Sequence, residues 1–513
     1  MGRSRAAAAF TPCVLARVRT FALEGVDAVP VTVEVDVRRG LPSFSVVGLP
    51  DRGVRESRER VRAAMANSDV PFPQQRVTVN LAPASLHKSG PSFDLAIAVA
   101  VVAADGGLPA AEIPDAVCGE LSLSGRIRPV RGALAMALAA RAAGVERILV
   151  PGANAPEAAL VDGLEVIAVP TLAELIEILR GVRTTEPAEP AIAVAEPGDE
   201  GPDLADVRGQ GDARRALEIA AAGGHNLLMV GPPGAGKTML ARRLPGILPP
   251  PTMAEAIEIT KVHGVAGLAR GGLVMRRPFR APHHTISASG LVGGGVPPRP
   301  GEVTLAHQGV LFLDELPEFG RAPLEALRQP LEDGFVVVVR GQRAVTYPAR
   351  TMLVAACNAC PCARRPGDCT CNDVDRARYA RRLSGPLLDR IDLVCELGQP
   401  PPPQLVGAGP PPEGSAAVRE RVLAARRGQT ERLVGTGAPC NAAMDSRLTR
   451  RTVTLADPAA AGPALERLSG RGQDRVLRLG RTIADLAASQ TVGPEHLDEA
   501  VGYRLADPLR AAA

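Results

Sequence analysis

The sequence predicts an α/β protein with a phosphate-binding module in its second half, an α+β domain ahead of it and a helical region behind it. Three observations carry this. The apolar run NLLMV feeds GPPGAGKT, Gly231 to Thr238. A second run, VLFL from Val310 to Leu313, delivers the adjacent acids Asp314 and Glu315. Near the end, SGRGQDRVLRLGRTIADLAASQTVGPEHLDEAVGYR has the spacing of two amphipathic helices joined at a Val-Gly-Pro turn.

At 513 residues the chain exceeds what one core usually covers, so two to four domains are expected. Its 59 basic and 55 acidic residues leave a net charge of only +4, so any contact with nucleic acid must be local. Aromatic residues make up 2% and Trp is absent, which argues against a base-stacking platform and leaves backbone electrostatics. Arg17 and Arg19 interrupt the apolar start, so no signal peptide is read there. The longest apolar stretch, Leu95 to Ala104, is too short to span a bilayer and fits a buried helix. A cytoplasmic protein without a membrane partner is expected, and nine cysteines then do not read as a disulfide framework.

The first domain is expected over residues 1–182. VPVTVEVDV, Val29 to Val37, alternates as a half-buried strand, SFSVVGLP leads to a charged helix from about Asp51 to Asn67, and RVTVNLAP is a further strand. An acidic, Pro-rich linker follows over 183–203, an ATPase core with insertions over 204–398, a Pro/Gly-rich connector over 399–414, and a helical lid over 415–513.

In the core, Gly231, Pro232, Pro233, Gly234, Ala235 and Gly236 form a turn whose backbone N–H groups can cradle phosphates, because glycine tolerates the angles and lets the chain approach closely. Lys237 then reaches the β- and γ-phosphates of ATP, and the Thr238 hydroxyl is placed to hold Mg²⁺. Asp314 belongs to the same Mg²⁺ shell, and Glu315 can orient and activate the attacking water. The long interval RRPFRAPHHTISASGLVGGGVPPRPGEVTLAHQ carries adjacent His283 and His284. Neighbours in sequence do not converge on one ion without other ligands, so it is read as a mobile insertion along a ring interface or substrate channel.

LEDGFVVVVRGQRAVTYPARTMLVAACN reads as a β-hairpin with Arg340 and Arg343 at its tip, then a core strand ending at Asn358. The Val336 to Val339 run is expected to pack on its own subunit while both arginines project from the tip, where they could meet nucleic-acid phosphates; the alternative, an ordinary solvated turn, stays open. Cys360, Cys362, Cys369 and Cys371 form two Cys-x-Cys pairs separated by six residues. Four thiolates can close a tetrahedral Zn²⁺ site, although Cys-x-Cys is tighter than usual, and the alternative of an incidental cluster stays open.

The N-terminal segment resembles the proteolytic domain of Lon protease, an α+β fold of the ribosomal S5 domain 2-like type, through KSGPSFDLA and GELSLSGRIRPVRG. The resemblance puts Ser92 where the nucleophile sits and Leu134 where its lysine base would be, which implies the fold without the chemistry. Taken whole, the order of that domain, GPPGAGKT, RAPHHTIS, GVLFLDELPEF, NACPC, SGPLLDRID and RTIADLA is similar to the YifB/ComM family of Mg-chelatase-like AAA+ ATPases. That resemblance implies Asn358 as the residue sensing the γ-phosphate, Arg390 as an arginine finger entering a neighbour's site, and Arg471 as the arginine of a lid over the nucleotide. Arg381 and Arg382 rival Arg390, which could instead pair with Asp389 or Asp392. A hexameric ring acting as a DNA helicase in branch migration during natural transformation is implied. The alternative is a chelatase-type or protein-remodelling ATPase, and because the chelatase subunit typically lacks the N-terminal domain, that domain's presence is taken to favour DNA.

Overall fold

The computed structural model describes residues 15–49, 51–86, 88, 90–109, 112–191, 201–269, 271–296, 298–340, 343–364, 368–399, 412–466 and 468–505. The chain forms two compact units, one of residues 1–193 with 256–274 and the other of residues 194–255 with 275–513.

In the first unit a seven-stranded sheet runs β3 (Ser43–Val47), β4 (Arg76–Ala82), β2 (Asp27–Arg38), β1 (Leu15–Glu24), β5 (Ala116–Val117), β8 (Arg147–Pro151) and β9 (Glu165–Val169). Short strands β6 (Glu120–Leu121) and β7 (Ile127–Arg128) pair separately. Val31, Val33, Val35 and Val37 of β2 are buried while their neighbours are more exposed, as the alternation requires. The helix Asp94–Ala104 is buried at every position. Its Asp94 is ion-paired with Arg60 at 2.6 Å, which supplies the partner that a buried carboxylate needs. Leu134, in the helix Ala133–Ala142, is fully buried in an apolar cluster, so hydrocarbon fills the place where the Lon resemblance asks for a lysine.

Residues 256–274 belong to this unit although they follow the phosphate loop in sequence. Most of this segment is the C-terminal part of the helix Met253–Ala266. Gly264 O accepts from Gly132 N–H at 3.1 Å, and a Cβ on Gly264 would lie 2.8 Å from the Glu157 carboxylate, which would have to shift to admit a side chain there. Lys261 pairs with Asp27 at 2.5 Å.

The second unit is built on a five-stranded sheet in the order β11 (Phe279–Arg280), β14 (Val310–Leu313), β17 (Met352–Cys357), β10 (Leu227–Val230) and β18 (Leu393–Glu396). All four pairings are parallel. Every residue of β10, β14 and β17 is buried, the state of strands covered on both faces.

The hairpin forms from β15 (Phe335–Arg340) and β16 (Arg343–Pro348), with Arg340 opposite Arg343. Its Val run is not wholly packed: Val336 and Val338 are buried, whereas Val337 and Val339 face out, because successive side chains of a strand point to opposite faces. The histidine-bearing interval is built rather than loose. Ser287 caps the helix Ala288–Val292, and β12 (Gly293–Gly294) pairs with β13 (Arg299–Pro300). Gly293, at φ 114°, lies against the Val338 side chain, and Tyr347 donates to Pro298 O at 3.0 Å, tying this ribbon to the hairpin. The helices Ser415–Arg432, Gly470–Leu486 and Pro494–Leu505 complete the unit. Among the described residues no helix is long and apolar enough to cross a membrane. Residues 192–200 of the first connector and 400–411, most of the second, lie outside the described residues.

Candidate functional site

Three parallel strands end at one edge of the second sheet, and their carboxyl ends bring the first group of residues together. Gly231 to Gly236 follow β10, Asp314 and Glu315 follow β14, and Asn358 follows β17. This is the edge where open α/β sheets bind ligands. Gly231 is closed in, since a Cβ there would meet Leu397 O at 2.5 Å, whereas one on Gly234 would meet nothing within 4 Å. Gly234 and Gly236 take φ of 76° and 91°, which turns the loop before the short helix Lys237–Ala241.

Lys237 Nζ donates to Gly231 O at 2.6 Å, Pro232 O at 3.0 Å and Asn358 Oδ1 at 3.1 Å. Burial pushes the lysine pKa down, and the nearby Cys357, Asp314 and Glu315 oppose that shift. An ammonium so held, with its anionic partners at a distance, is poised to exchange carbonyl contacts for phosphate oxygens. Thr238 Oγ1 donates to Asp314 Oδ2 at 2.6 Å, and Asp314 Oδ1 accepts from Glu315 N–H at 3.0 Å. This hydroxyl and carboxylate are hard oxygen donors of the kind Mg²⁺ takes, so the residues fit that ion. Val207 is buried, and Gln210 Nε2 donates to Ala235 O at 2.9 Å and Gly398 O at 2.7 Å, which links the stretch ahead of the helix Gly211–Gly223 to the phosphate loop.

Glu315 has a left-handed backbone, φ 53° and ψ 45°, which costs a non-glycine residue about 1–2 kcal/mol. Its carboxylate lies 3.1 Å from Nδ1 of His284. The ring of His283 lies against that of His284 at a tilt of 35°, with ring centroids 4.1 Å apart, and its own Nδ1 is 2.9 Å from Thr285 Oγ1. The paired histidines therefore belong at the acidic strand end, a contact that sequence spacing could not reveal.

The four cysteines of the two Cys-x-Cys pairs converge. Their sulfurs all lie within 4.8 Å of one another, and Arg376 donates to Cys369 Sγ at 3.5 Å. The N–H groups of Arg364 and Thr370 pull the Cys362 thiol down to about 6.

Arg390 and Arg471 do not join the phosphate loop. Both line a cavity of about 720 Å³ together with Asn226, Gly309, Met352 and Asp392. Those four residues stand at the amino ends of β10, β14, β17 and β18, so the cavity lies at the opposite edge of the sheet. A four-residue strand is roughly 13 Å long, too far for either arginine to reach this chain's own phosphates across the sheet without moving. Arg471 thus stands at the strand-start edge, away from this chain's own phosphate loop. The physical reason is that the C-terminal helices pack at the strand starts, as when Arg504 donates to Ile391 O at 2.7 Å. Arg390 does not pair with Asp389 or Asp392 but donates to Pro386 O at 2.7 Å and contacts Glu332. Its rival Arg382 is paired with Glu318 at 2.8 Å. At the hairpin tip, the side chains of Arg340 and Arg343 and residues Gly341 and Gln342 lie outside the described residues.

Comparison with known proteins agrees along the chain. Residues 203–404 match the family described as magnesium chelatase, subunit ChlI; residues 33–154 match subunit ChlI of Mg-chelatase; and residues 412–504 match the ChlI C-terminal family. The chain is 44% identical to competence protein ComM of Haemophilus influenzae over 96% of its own length and 97% of that protein. It is 43% identical to the uncharacterized protein YifB of Escherichia coli over 96% and 98%. A 110-residue stretch is 32% identical to Lon protease of Rhizobium meliloti, covering 20% of the chain and 14% of that protease. Because the first unit itself matches a ChlI description, its presence does not separate the chelatase reading from the DNA reading, contrary to the expectation above.

Proposed function

Since the chain belongs to the YifB/ComM family of Mg-chelatase-like AAA+ ATPases, we propose that it is an ATP-hydrolysing ring motor acting on DNA, a helicase or branch-migration factor in recombination or natural transformation. The observation that carries the ATPase part is the meeting of Lys237, Asn358, Thr238 and Asp314 at one sheet edge. The DNA part rests on near full-length similarity to a competence protein.

In this reading the backbone of Gly231 to Gly236 cradles the phosphates, and Lys237 moves from carbonyl oxygens to the β- and γ-phosphates. Thr238 and Asp314 would hold Mg²⁺, which would supply charge neutralisation for the phosphoryl transfer. Asn358 keeps a hydrogen bond at the γ-phosphate. Glu315 accepts a proton from the attacking water, and His284 fixes the direction of that carboxylate.

The opposite-edge cavity supports a ring, hexameric as in the family expectation. A subunit docking that edge against the next subunit's phosphate loop would offer Arg390 and Arg471 to a nucleotide that it does not itself bind. A guanidinium arriving from outside then stabilises charge on the transferred phosphoryl group, and hydrolysis depends on assembly. The hairpins, repeated around the ring, would concentrate Arg340 and Arg343 where DNA passes.

The second reading, a chelatase-type ATPase working on a partner protein, is favoured by the ChlI matches. ATP hydrolysis measured with and without single-stranded and branched DNA separates the two. Stimulation by DNA is expected; DNA binding and stimulation both absent from assembled rings would favour the partner-protein reading.

A further inference from the structure

A tetrahedral Zn²⁺ site with Zn–S bonds of about 2.3 Å has sulfur-to-sulfur edges of about 3.8 Å. The Cys360–Cys362, Cys360–Cys369 and Cys362–Cys369 sulfurs are 3.4, 3.6 and 3.7 Å apart, and Cys371 lies within the same 4.8 Å cluster. The tight spacing is accommodated by a left-handed Ala363, φ 55°, which reverses the chain directly after Cys362. The Arg376 guanidinium facing Cys369 Sγ supplies the outer hydrogen bond that metal thiolates commonly accept.

The loop does not stand alone. Ala363, Arg364 and Asp368 line a cavity of about 580 Å³ together with Pro232 and Pro233 of the phosphate loop. The helix Asp373–Ala380 begins two residues after Cys371, held by reciprocal bonds between Asn372 and Asp375. Arg376 of that helix faces the cysteines, and Tyr379, three residues on, is buried with its phenol toward the N–H of Asn358. Asn358 in turn holds Lys237 Nζ, and only one residue separates it from Cys360. Two short routes thus lead from the sulfurs to the phosphate-binding turn.

We propose that Cys360, Cys362, Cys369 and Cys371 bind one zinc ion as a tetrathiolate, and that this ion fixes the loop walling the phosphate site, so that nucleotide affinity depends on it. The second half rests on the nucleotide reading given above. Without the metal, the loop loses the crosslink that holds Arg364 and Asp368 beside Pro232 and Pro233.

The test uses the full chain purified without chelator. Elemental analysis should find one zinc per chain, lost in a Cys362→Ser, Cys371→Ser double variant. Chelator-stripped wild type reloaded with Co²⁺ should show the visible bands of a tetrahedral thiolate complex, which needs no substitution. Stripping should weaken binding of a fluorescent ATP analogue roughly tenfold, the loss expected if about one chain in ten keeps the competent loop. Zn²⁺, but not extra Mg²⁺, should restore it. Zinc near zero in folded protein, or native mass spectra showing disulfides instead, would overturn the metal site. Unchanged nucleotide affinity after stripping would overturn the coupling. Lys237→Ala should keep its zinc while losing nucleotide; if it binds nucleotide like wild type, the nucleotide reading fails and the zinc count still stands.

Discussion

Nδ1 of His284 lies 3.1 Å from Oε2 of Glu315, although the two residues come from an insertion and a core strand end far apart in sequence. The imidazole gives the exposed carboxylate a fixed direction, and the ring of His283, tilted against it, limits its freedom.

Glu315→Gln should therefore bind ATP and lower kcat by about 10²–10⁴-fold, the usual worth of a positioned base. His284→Ala should lower kcat by about tenfold, a loss of orientation alone, with nucleotide affinity within about twofold of wild type. Steady-state ATPase assays beside fluorescent-nucleotide binding check both. A His284→Ala enzyme with wild-type kcat would remove the positioning role.

Arg390 sits at the sheet edge opposite the phosphate loop. Arg390→Ala subunits should bind ATP without turning it over, and Lys237→Ala subunits should fail to bind it. Mixed rings should regain part of the activity, because some interfaces then combine an intact loop with an intact finger. ATPase titration across mixing ratios reads this, and no recovery in rings shown to contain both variants would count against action across the interface.

The Arg340→Ala, Arg343→Ala double variant should assemble and keep basal ATPase. It should lose DNA-stimulated hydrolysis, and the slope of log affinity against log salt should fall by about 0.7–0.9 for each phosphate contact removed. The weakening should be equal for all sequences, since phosphate contacts carry no base information. An unchanged salt slope would move the DNA path away from the hairpin.

Asp392 is buried, and although burial alone would raise its pKa, His225, Arg478 and Arg475 hold it down to about 2. A carboxylate depressed in the folded state stabilises above its unfolded value near 4, and that contribution is lost as pH falls from about 4 toward 2. The shift corresponds to roughly 2 kcal/mol. Asp392→Asn should lower the urea midpoint at pH 7, and the gap from wild type should narrow toward pH 3. A gap that stays constant with pH would mean that packing, not charge, is what the aspartate contributes.

Local chemistry was legible in the sequence because it is local. A strand, a glycine turn and a lysine follow one another within GPPGAGKT, and four apolar residues before Asp314 and Glu315 announce a buried parallel strand. The four cysteines could be grouped for the same reason. What spacing could not supply was partnership across the chain: His284 with Glu315, or Thr482 with His225 at 2.8 Å. RTIADLA served as a family marker, yet in the fold it is scaffold, with Arg481 and Arg432 both paired to Asp485. Periodicity identified the helix carrying Arg471 but held no information on which sheet edge it would meet.

The segment 256–274 also sets an order of events during synthesis. The first unit lacks a piece of itself until the ribosome has passed the phosphate loop and translated through residue 274. At roughly 5–20 residues per second, that leaves the Gly132 and Glu157 surface, with the apolar cluster that receives Ile257, waiting for several seconds. A fragment cut at the linker would keep that surface bare permanently, an invitation to chaperones and proteases. A cut at the linker therefore does not divide the chain along the boundary between its two units.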